Sequence, residues 1–173
     1  MFGGDSSAVR SDLQSDVKTI FSTCTAFAAL KTNGKVIVWG NPYYDRRDWS
    51  LPAHVSSHLQ SDVKNIVCTM LAFAALKTNG RVITWGFPHY GGNSSSVMLD
   101  LQSDVKSVIS TEYAFAALKT NGRVINWGED GWGGDSSNVS SELQSDVKSI
   151  VSTKKAFAVL KSNGKVITWG HPE

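Results

Sequence analysis

Ala26-Phe27-Ala28-Ala29-Leu30-Lys31-Thr32-Asn33-Gly34-Lys35-Val36-Ile37-Val38-Trp39-Gly40 decides the fold. The stretch is an apolar run, an Asn-Gly pair and a second apolar run. Asn-Gly between two such runs is the strongest short-range signal for a β-hairpin, because both turn residues take positive φ. The stretch recurs almost letter for letter as Ala72 to Gly86, Ala114 to Gly128 and Ala156 to Gly170. The hairpins begin at Phe27, Phe73, Phe115 and Phe157, so the spacings are 46, 42 and 42 residues. A period of about 40 to 50 residues signals propeller blades or a solenoid.

Each repeat carries the same further parts. Gly-Gly-Asp/Asn-Ser-Ser comes first, at Gly3 to Ser7, Gly91 to Ser95 and Gly133 to Ser137. An apolar pair four apart follows: Val9 and Leu13, Val55 and Leu59, Val97 and Leu101, Val139 and Leu143. That spacing behind serines predicts a short helical return with a serine N-cap. Leu-Gln-Ser-Asp-Val-Lys is identical in all four repeats and leads into a strand at Val17 to Ser22, Val63 to Cys68, Val105 to Ser110 and Val147 to Ser152. The units therefore run at about 3–40, 41–86, 87–128 and 129–170, in one repeat domain. Three strands per unit, with a Phe-Ala-Ala-Leu run apolar on both faces, need neighbours on both sides. The expected class is all-β, with four propeller-type blades; the alternative is an open β-solenoid. Unit two departs from the pattern, with Asp45 to His54 in place of the glycine-rich loop.

The composition is that of an ordinary soluble domain: 173 residues, 41% hydrophobic, 18% charged, net charge +2. No apolar run approaches the roughly 20 residues of a membrane span. Met1 to Asp5 lacks the basic and apolar regions of a secretion signal. A cytoplasmic or nuclear location is expected, with Cys24 and Cys68 as free thiols, since they occupy different repeat positions. The sequons at Asn93 and Asn138 matter only for a secreted chain.

The core pattern Leu-x-x-x-Gly-x-Val-x-x-Trp-Gly, four times over, resembles the repeat of the regulator of chromosome condensation family. The variant with Gly-Gly-Asp-Ser-Ser after Trp-Gly is similar to that of large multi-repeat proteins of protists. The resemblance implies a β-propeller. The family's Gly-x-x-His before Ala-Leu is here Thr-x-x-Ala-Phe, and its Asn-x-x-Gly-Gln-Leu-Gly after Trp-Gly is replaced. Nucleotide exchange, chromatin binding and ubiquitin ligation therefore do not carry over. Family propellers usually have seven blades, which leaves three arrangements open here: an open arc or fragment, a closed four-blade ring, or a dimer that completes a larger ring.

Positions identical in all four repeats are accounted for by the fold, so functional residues belong among those that vary. Two places vary: the pair before Ala-Phe (Cys24-Thr25, Met70-Leu71, Glu112-Tyr113, Lys154-Lys155) and the stretch after Trp-Gly. Strand direction puts both at the same end of every blade. Tyr43, Tyr44, Trp49, Phe87, Tyr90, Tyr113 and Trp132 all fall there, with Arg46 and Arg47. Aromatic and Arg side chains dominate binding hot spots, so this end is the expected site for a protein partner. The alternative reading is loop packing, and Trp39, Trp85, Trp127 and Trp169 are core positions.

The opposite end carries the Asn-Gly turns and their bases, including Lys35, Arg81, Arg123 and Lys165. Twelve bases against four Asp there, and five against eleven acids elsewhere, suggest a rival surface for an anion or nucleic acid. No aromatic residues interleave to stack bases, which favours a solvated turn face instead.

Gly-x-Ser-x-Gly, the P-loop and His-Glu-x-x-His are absent, so no catalytic residue is assigned. His54 and His58 could share a helical face, but a two-His site is weak. The Gly-Gly-Asp-Ser-Ser loops carry at most one carboxylate each, too few for Ca²⁺. The chain is read as a non-enzymatic binding module without metal or cofactor, capable of self-association or of being part of a longer repeat protein. A hydrolase or lectin with an axial site is the third alternative.

Overall fold

In the computed structural model, residues 3–41 and 51–172 are described. Among them are twelve strands in four separate sheets of three. The first sheet is β1 (Val17–Ser22), β2 (Ala26–Lys31) and β3 (Val36–Gly40). The second is β4 (Val63–Cys68), β5 (Ala72–Lys77) and β6 (Val82–Gly86). The third is β7 (Val105–Ser110), β8 (Ala114–Lys119) and β9 (Val124–Gly128). The fourth is β10 (Val147–Ser152), β11 (Ala156–Lys161) and β12 (Val166–Gly170). Each sheet is an antiparallel meander in chain order. The strands coincide with the runs read from sequence, because those runs are bounded by turn residues that leave little choice. The hairpin turn itself differs from the expectation: within it only Gly34, Gly80, Gly122 and Gly164 take positive φ, and the Asn before each does not, since the loop has three residues, closed by Lys31 N–H on Lys35 O at 2.8 Å in the first blade.

Within each sheet one register holds. Phe27 pairs with Trp39, Phe73 with Trp85, Phe115 with Trp127 and Phe157 with Trp169. Each of these cross-strand pairs stacks, with ring centroids 5.0 to 5.3 Å apart. Such pairs add to burial energy and pin the register. The first strand of every blade carries a register shift beside its lysine, after an Asp in the left-handed region: Asp16, Asp62, Asp104 and Asp146, with φ of 60 to 64°. Asp tolerates that conformation better than most residues, which explains the invariant Ser-Asp.

The core lies between blades rather than within them. Ala26, Ala28, Leu30 and Val36 of one blade receive Val55, Leu59, Ile66, Phe73 and Trp85 of the next. The same set repeats between the second and third blades and between the third and fourth. This is why Ala-Ala sits opposite Phe and Trp: small residues on one face admit the rings of the neighbour. The blades form an open arc. Gly34, Gly80 and Gly122 lie against the backbone of the following blade, whereas nothing comes within 4 Å of a Cβ built at Gly164. The closed four-blade ring is therefore not the arrangement adopted.

The helical return takes two forms. It is α1 (Ala53–His58) in unit two and a 3₁₀ segment at Ser7–Leu13, Ser95–Val97 and Ser137–Leu143. The expected serine cap does not form, since Ser6, Ser94 and Ser136 make no capping bond. The residue before takes that role: Asp5, Asn93 and Asp135 accept from the backbone N–H of Ser7, Ser95 and Ser137 at 2.8 to 3.0 Å. An Asx turn suits a 3₁₀ start better than an α-type cap. The glycine before it is required. Gly91 (φ 87°) lies on Phe115, where a Cβ would sit 2.5 Å from the ring, and its carbonyl accepts from Trp127 Nε1 at 3.0 Å. Gly133 does the same for Trp169, at 3.0 Å. Unit two lacks the Gly-Gly-Asp-Ser-Ser sequence, and Trp85 Nε1 is buried with no hydrogen-bond partner among the described residues.

Candidate site on the variable end of the blades

Register places both variable segments together. Ala26 pairs with Gly40, Ala72 with Gly86, Ala114 with Gly128 and Ala156 with Gly170. The residue after each Trp-Gly donates its N–H to the second residue of the variable pair: Phe87 to Leu71 at 2.9 Å and Glu129 to Tyr113 at 3.1 Å. Neighbouring blades are joined at this end by a row of backbone bonds. Cys24 N donates to Met70 O, Met70 N to Glu112 O and Glu112 N to Lys154 O, at 2.8 to 2.9 Å. The first strands of the blades are thus adjacent, and the variable pairs form a contiguous line.

On that line stands a chain of rings. Phe87 meets Tyr90 edge-on at 5.4 Å, Tyr90 stacks on Tyr113 at 4.4 Å, and Tyr113 lies 4.0 Å from Trp132. Lys155 Nζ sits 5.0 Å over the Trp132 ring, a cation–π contact. These rings come from loops of successive blades, and each is half-buried with a free edge. Tyr90 also packs partly against the core between the second and third blades, and burial pushes its phenol pKa up. Tyr43, Tyr44, Arg46, Arg47 and Trp49 lie outside the described residues.

Threonine clamps hold the ridge. Thr69 Oγ1 donates to Tyr90 O at 2.8 Å, and Thr111 Oγ1 donates to Trp132 O at 2.9 Å. The same hydroxyls accept from Ala72 N and Ala114 N at 3.0 Å. Sequence reasoning passed over these residues because Thr23, Thr69, Thr111 and Thr153 are identical across the repeats. It also passed over Lys155. A Lys beside Trp132 in space is twenty-three positions away in sequence, so only the stacking of blades reveals the contact.

The inner edge of this end is a shallow depression lined by Cys24, Met70, Glu112 and Lys154. Its carboxylate, Glu112, faces Lys154 at 3.7 Å. Cys24 is exposed, and burial pushes the Cys68 thiol up to about 12, which leaves it a protonated core thiol.

At the opposite end the four bases are engaged. Lys35 pairs with Asp12 at 3.0 Å, Arg123 with Asp100 at 2.6 Å, and Lys165 with Glu142. Arg81 meets the His58 ring at 3.2 Å. The four partners share one repeat position, just before the conserved-frame leucine. Lys31, Lys77, Lys119 and Lys161 donate to the backbone carbonyls of the same residues at 2.7 to 2.9 Å. The turn end therefore holds three more acids than its sequence neighbours suggested. Its bases tie each helical return to its hairpin.

No family model matches the chain, and no curated protein matches it. Among solved structures it is similar to human WBSCR16 (TM-score 0.58, 18% identity, covering 92% of this chain and 48% of that one). It is similar to Prp20p of Saccharomyces cerevisiae, studied with its binding to Gsp1p and histones (TM-score 0.58, 17% identity, 91% and 44%). It is also similar to the ectodomain of the Physcomitrella patens receptor kinase CR4 (TM-score 0.56, 15% identity, 88% and 40%). These neighbours are β-propellers, and Prp20 is the yeast RCC1. The chain spans less than half of each of their lengths. At these identities the likeness establishes the fold: a four-blade, all-β propeller arc. Among the described residues no helix is long and apolar enough to cross a membrane.

Proposed function

We propose that the chain is a non-enzymatic scaffold of RCC1-type repeats that engages a protein partner through the variable end of its blades. The observation that carries this reading is the ridge Phe87–Tyr90–Tyr113–Trp132. Its rings come from positions that the repeats leave free, yet they stack continuously across blades and keep an open edge. Rigid aromatic rings held by backbone-anchored loops give contact area at little entropic cost. Tyr43, Tyr44, Arg46, Arg47 and Trp49 extend the same sequence end and are assigned to the same surface. The engaged state of Lys35, Arg81, Arg123 and Lys165 speaks for a structural role at the turn end, against nucleic-acid binding there.

The test is affinity capture from cell extract with three baits: the wild type, Tyr113→Ala/Trp132→Ala, and a quadruple variant with Lys35, Arg81, Arg123 and Lys165 changed to Ser. A partner held by the wild type and the turn variant but lost by the aromatic variant is expected. Loss by the turn variant alone, with steep salt dependence, would place the working surface at the other end.

A further inference from the structure

The two end faces of the arc expose residues whose counterparts are buried at the internal junctions. On the first blade, Ile20 is 57% exposed, whereas its sisters Ile66 and Val108 are 2% and 6% exposed. Phe27, Trp39, Leu13 and Val17 are likewise only half-buried, where their sisters are buried. On the last blade, Val166 is 59% and Leu160 37% exposed, while their counterparts on the other three blades are all 5% or less. Val151 of the same face is 64% exposed. One face thus presents large rings, and the other presents the Ala156, Ala158, Leu160 and Val166 surface that receives such rings three times inside this chain.

The polar groups match as well. Each internal junction is stitched at the turn end by a valine N–H to a turn glycine: Val63 to Gly34, Val105 to Gly80 and Val147 to Gly122, at 3.0 to 3.1 Å. At the variable end, two junctions add a serine hydroxyl bond, Ser110 to Cys68 O and Ser152 to Ser110 O, both 2.7 Å. The next bond of each series needs Val17 N on Gly164 O, Ser22 Oγ on Ser152 O, and Lys154 N on Cys24 O. Donors and acceptors lie on the correct sides. The edges also hold the docked conformation already, with Asp16 at φ 60° and Gly164 at φ 86°, as at the internal junctions.

We propose that a second copy of this chain docks head to tail on these faces, and that two copies close an eight-bladed ring. The occupant is argued from the three internal junctions, which show what covers each face. Eight blades lie within the range that propellers adopt. A head-to-tail contact forms a ring when its rotation closes, and two four-blade arcs bury both bare faces of each chain at once.

The experiment is light scattering on the full chain from micromolar to several hundred micromolar. The expected mass is twice the 18.7 kDa of one chain. Ile20→Lys and Val151→Lys, each at an exposed position, should both halve that mass. Mixed in equal amounts they should restore it, since one junction in the mixture keeps both native faces. If Val151→Lys loses its fold by circular dichroism, Thr168→Arg on the same exposed face takes its place. A wild type that stays monomeric throughout, or an open polymer, would overturn the ring. Dissociation by only one variant, or no recovery on mixing, would overturn the head-to-tail contact.

Discussion

Trp85 and Trp127 allow one structural claim to be tested by the same substitution at two sister positions. Both are buried, at 1% and 3% exposure, and both stack on a phenylalanine, at 5.0 and 5.3 Å. They differ in one bond: Trp127 Nε1 donates to the buried Gly91 carbonyl at 3.0 Å, and Trp85 Nε1 has no partner among the described residues. Trp→Phe removes the same volume at each position, so the cavity costs nearly cancel in the comparison. At Trp127 the change also strands a buried acceptor, which costs about 1–3 kcal/mol. At Trp85 it deletes an unsatisfied donor and relieves a penalty of similar size. Trp127→Phe should therefore be the more destabilising by about 2 kcal/mol or more. In urea denaturation, with a slope of about 2 kcal/mol/M, that is a midpoint gap of about 1 M at unchanged slope. Equal midpoints, or a lower midpoint for Trp85→Phe, would refute the assignment of the glycine-rich loop as acceptor for the scaffold tryptophans.

Trp85→Ala should cost roughly 3–5 kcal/mol as a core truncation, and Trp132→Ala little, read as melting temperatures. Gly91→Ala should destabilise because its Cβ would meet the Phe115 ring at 2.5 Å and its φ is 87°; near-wild-type melting would exclude that tight contact. Burial and then the Arg81 charge hold His58 below its ordinary 6.5. A histidine depressed in the fold loses stability as pH falls from 6.5, because the unfolded chain takes the proton first. His58→Asp, which restores the carboxylate found at this repeat position in sister units, should raise the melting temperature at pH 6 and remove that slope. Glu142 is held below its ordinary 4.5 by the Lys165 hydrogen bond. Its contribution is present above pH 4.5 and fades below it, so Glu142→Gln should flatten the melting curve there.

The strands were legible because each is bounded by residues with few other uses: Asn-Gly before β3, β6, β9 and β12, and Ser-Asp before β1, β4, β7 and β10. The end to which the variable segments belong followed from strand direction alone. Contacts between parts far apart in the chain were not legible, whether within a unit or between blades. Asp12, Asp100 and Glu142 lie twenty-three residues from the bases they meet, a separation no local pattern reports, so the turn end read as more basic than it is. The stacking of Tyr90 on Tyr113 and of Tyr113 near Trp132 likewise depends on the rise from blade to blade. The serine cap failed for a local reason: the preceding Asp or Asn forms the tighter turn, and the Ser94 and Ser136 hydroxyls turn instead to Thr84 Oγ1 at 2.9 Å and Asn126 Oδ1 at 2.6 Å.

Unit two is where the repeat departs from its own rules. It replaces the glycine-rich sequence, leaves Trp85 Nε1 without a partner among the described residues and puts His58 where the sisters have an acid. Each change costs stability that the other units retain. A sequence that breaks its local rules at one place, and keeps them elsewhere, does so most often where function is served. The same unit exchanges its loop for a stretch with Arg46, Arg47 and Trp49, residue types enriched at interface centres. Its sequence end is the one that carries the aromatic ridge. Under the proposed function these departures share one explanation: unit two gives up stability for contact residues at the variable end. Restoring Gly-Gly-Asp-Ser-Ser in place of Asp45 to Ser50 should accordingly raise the melting temperature while weakening capture of the partner. A graft that stabilises the chain and leaves capture intact would confine the contact surface to Phe87, Tyr90, Tyr113 and Trp132.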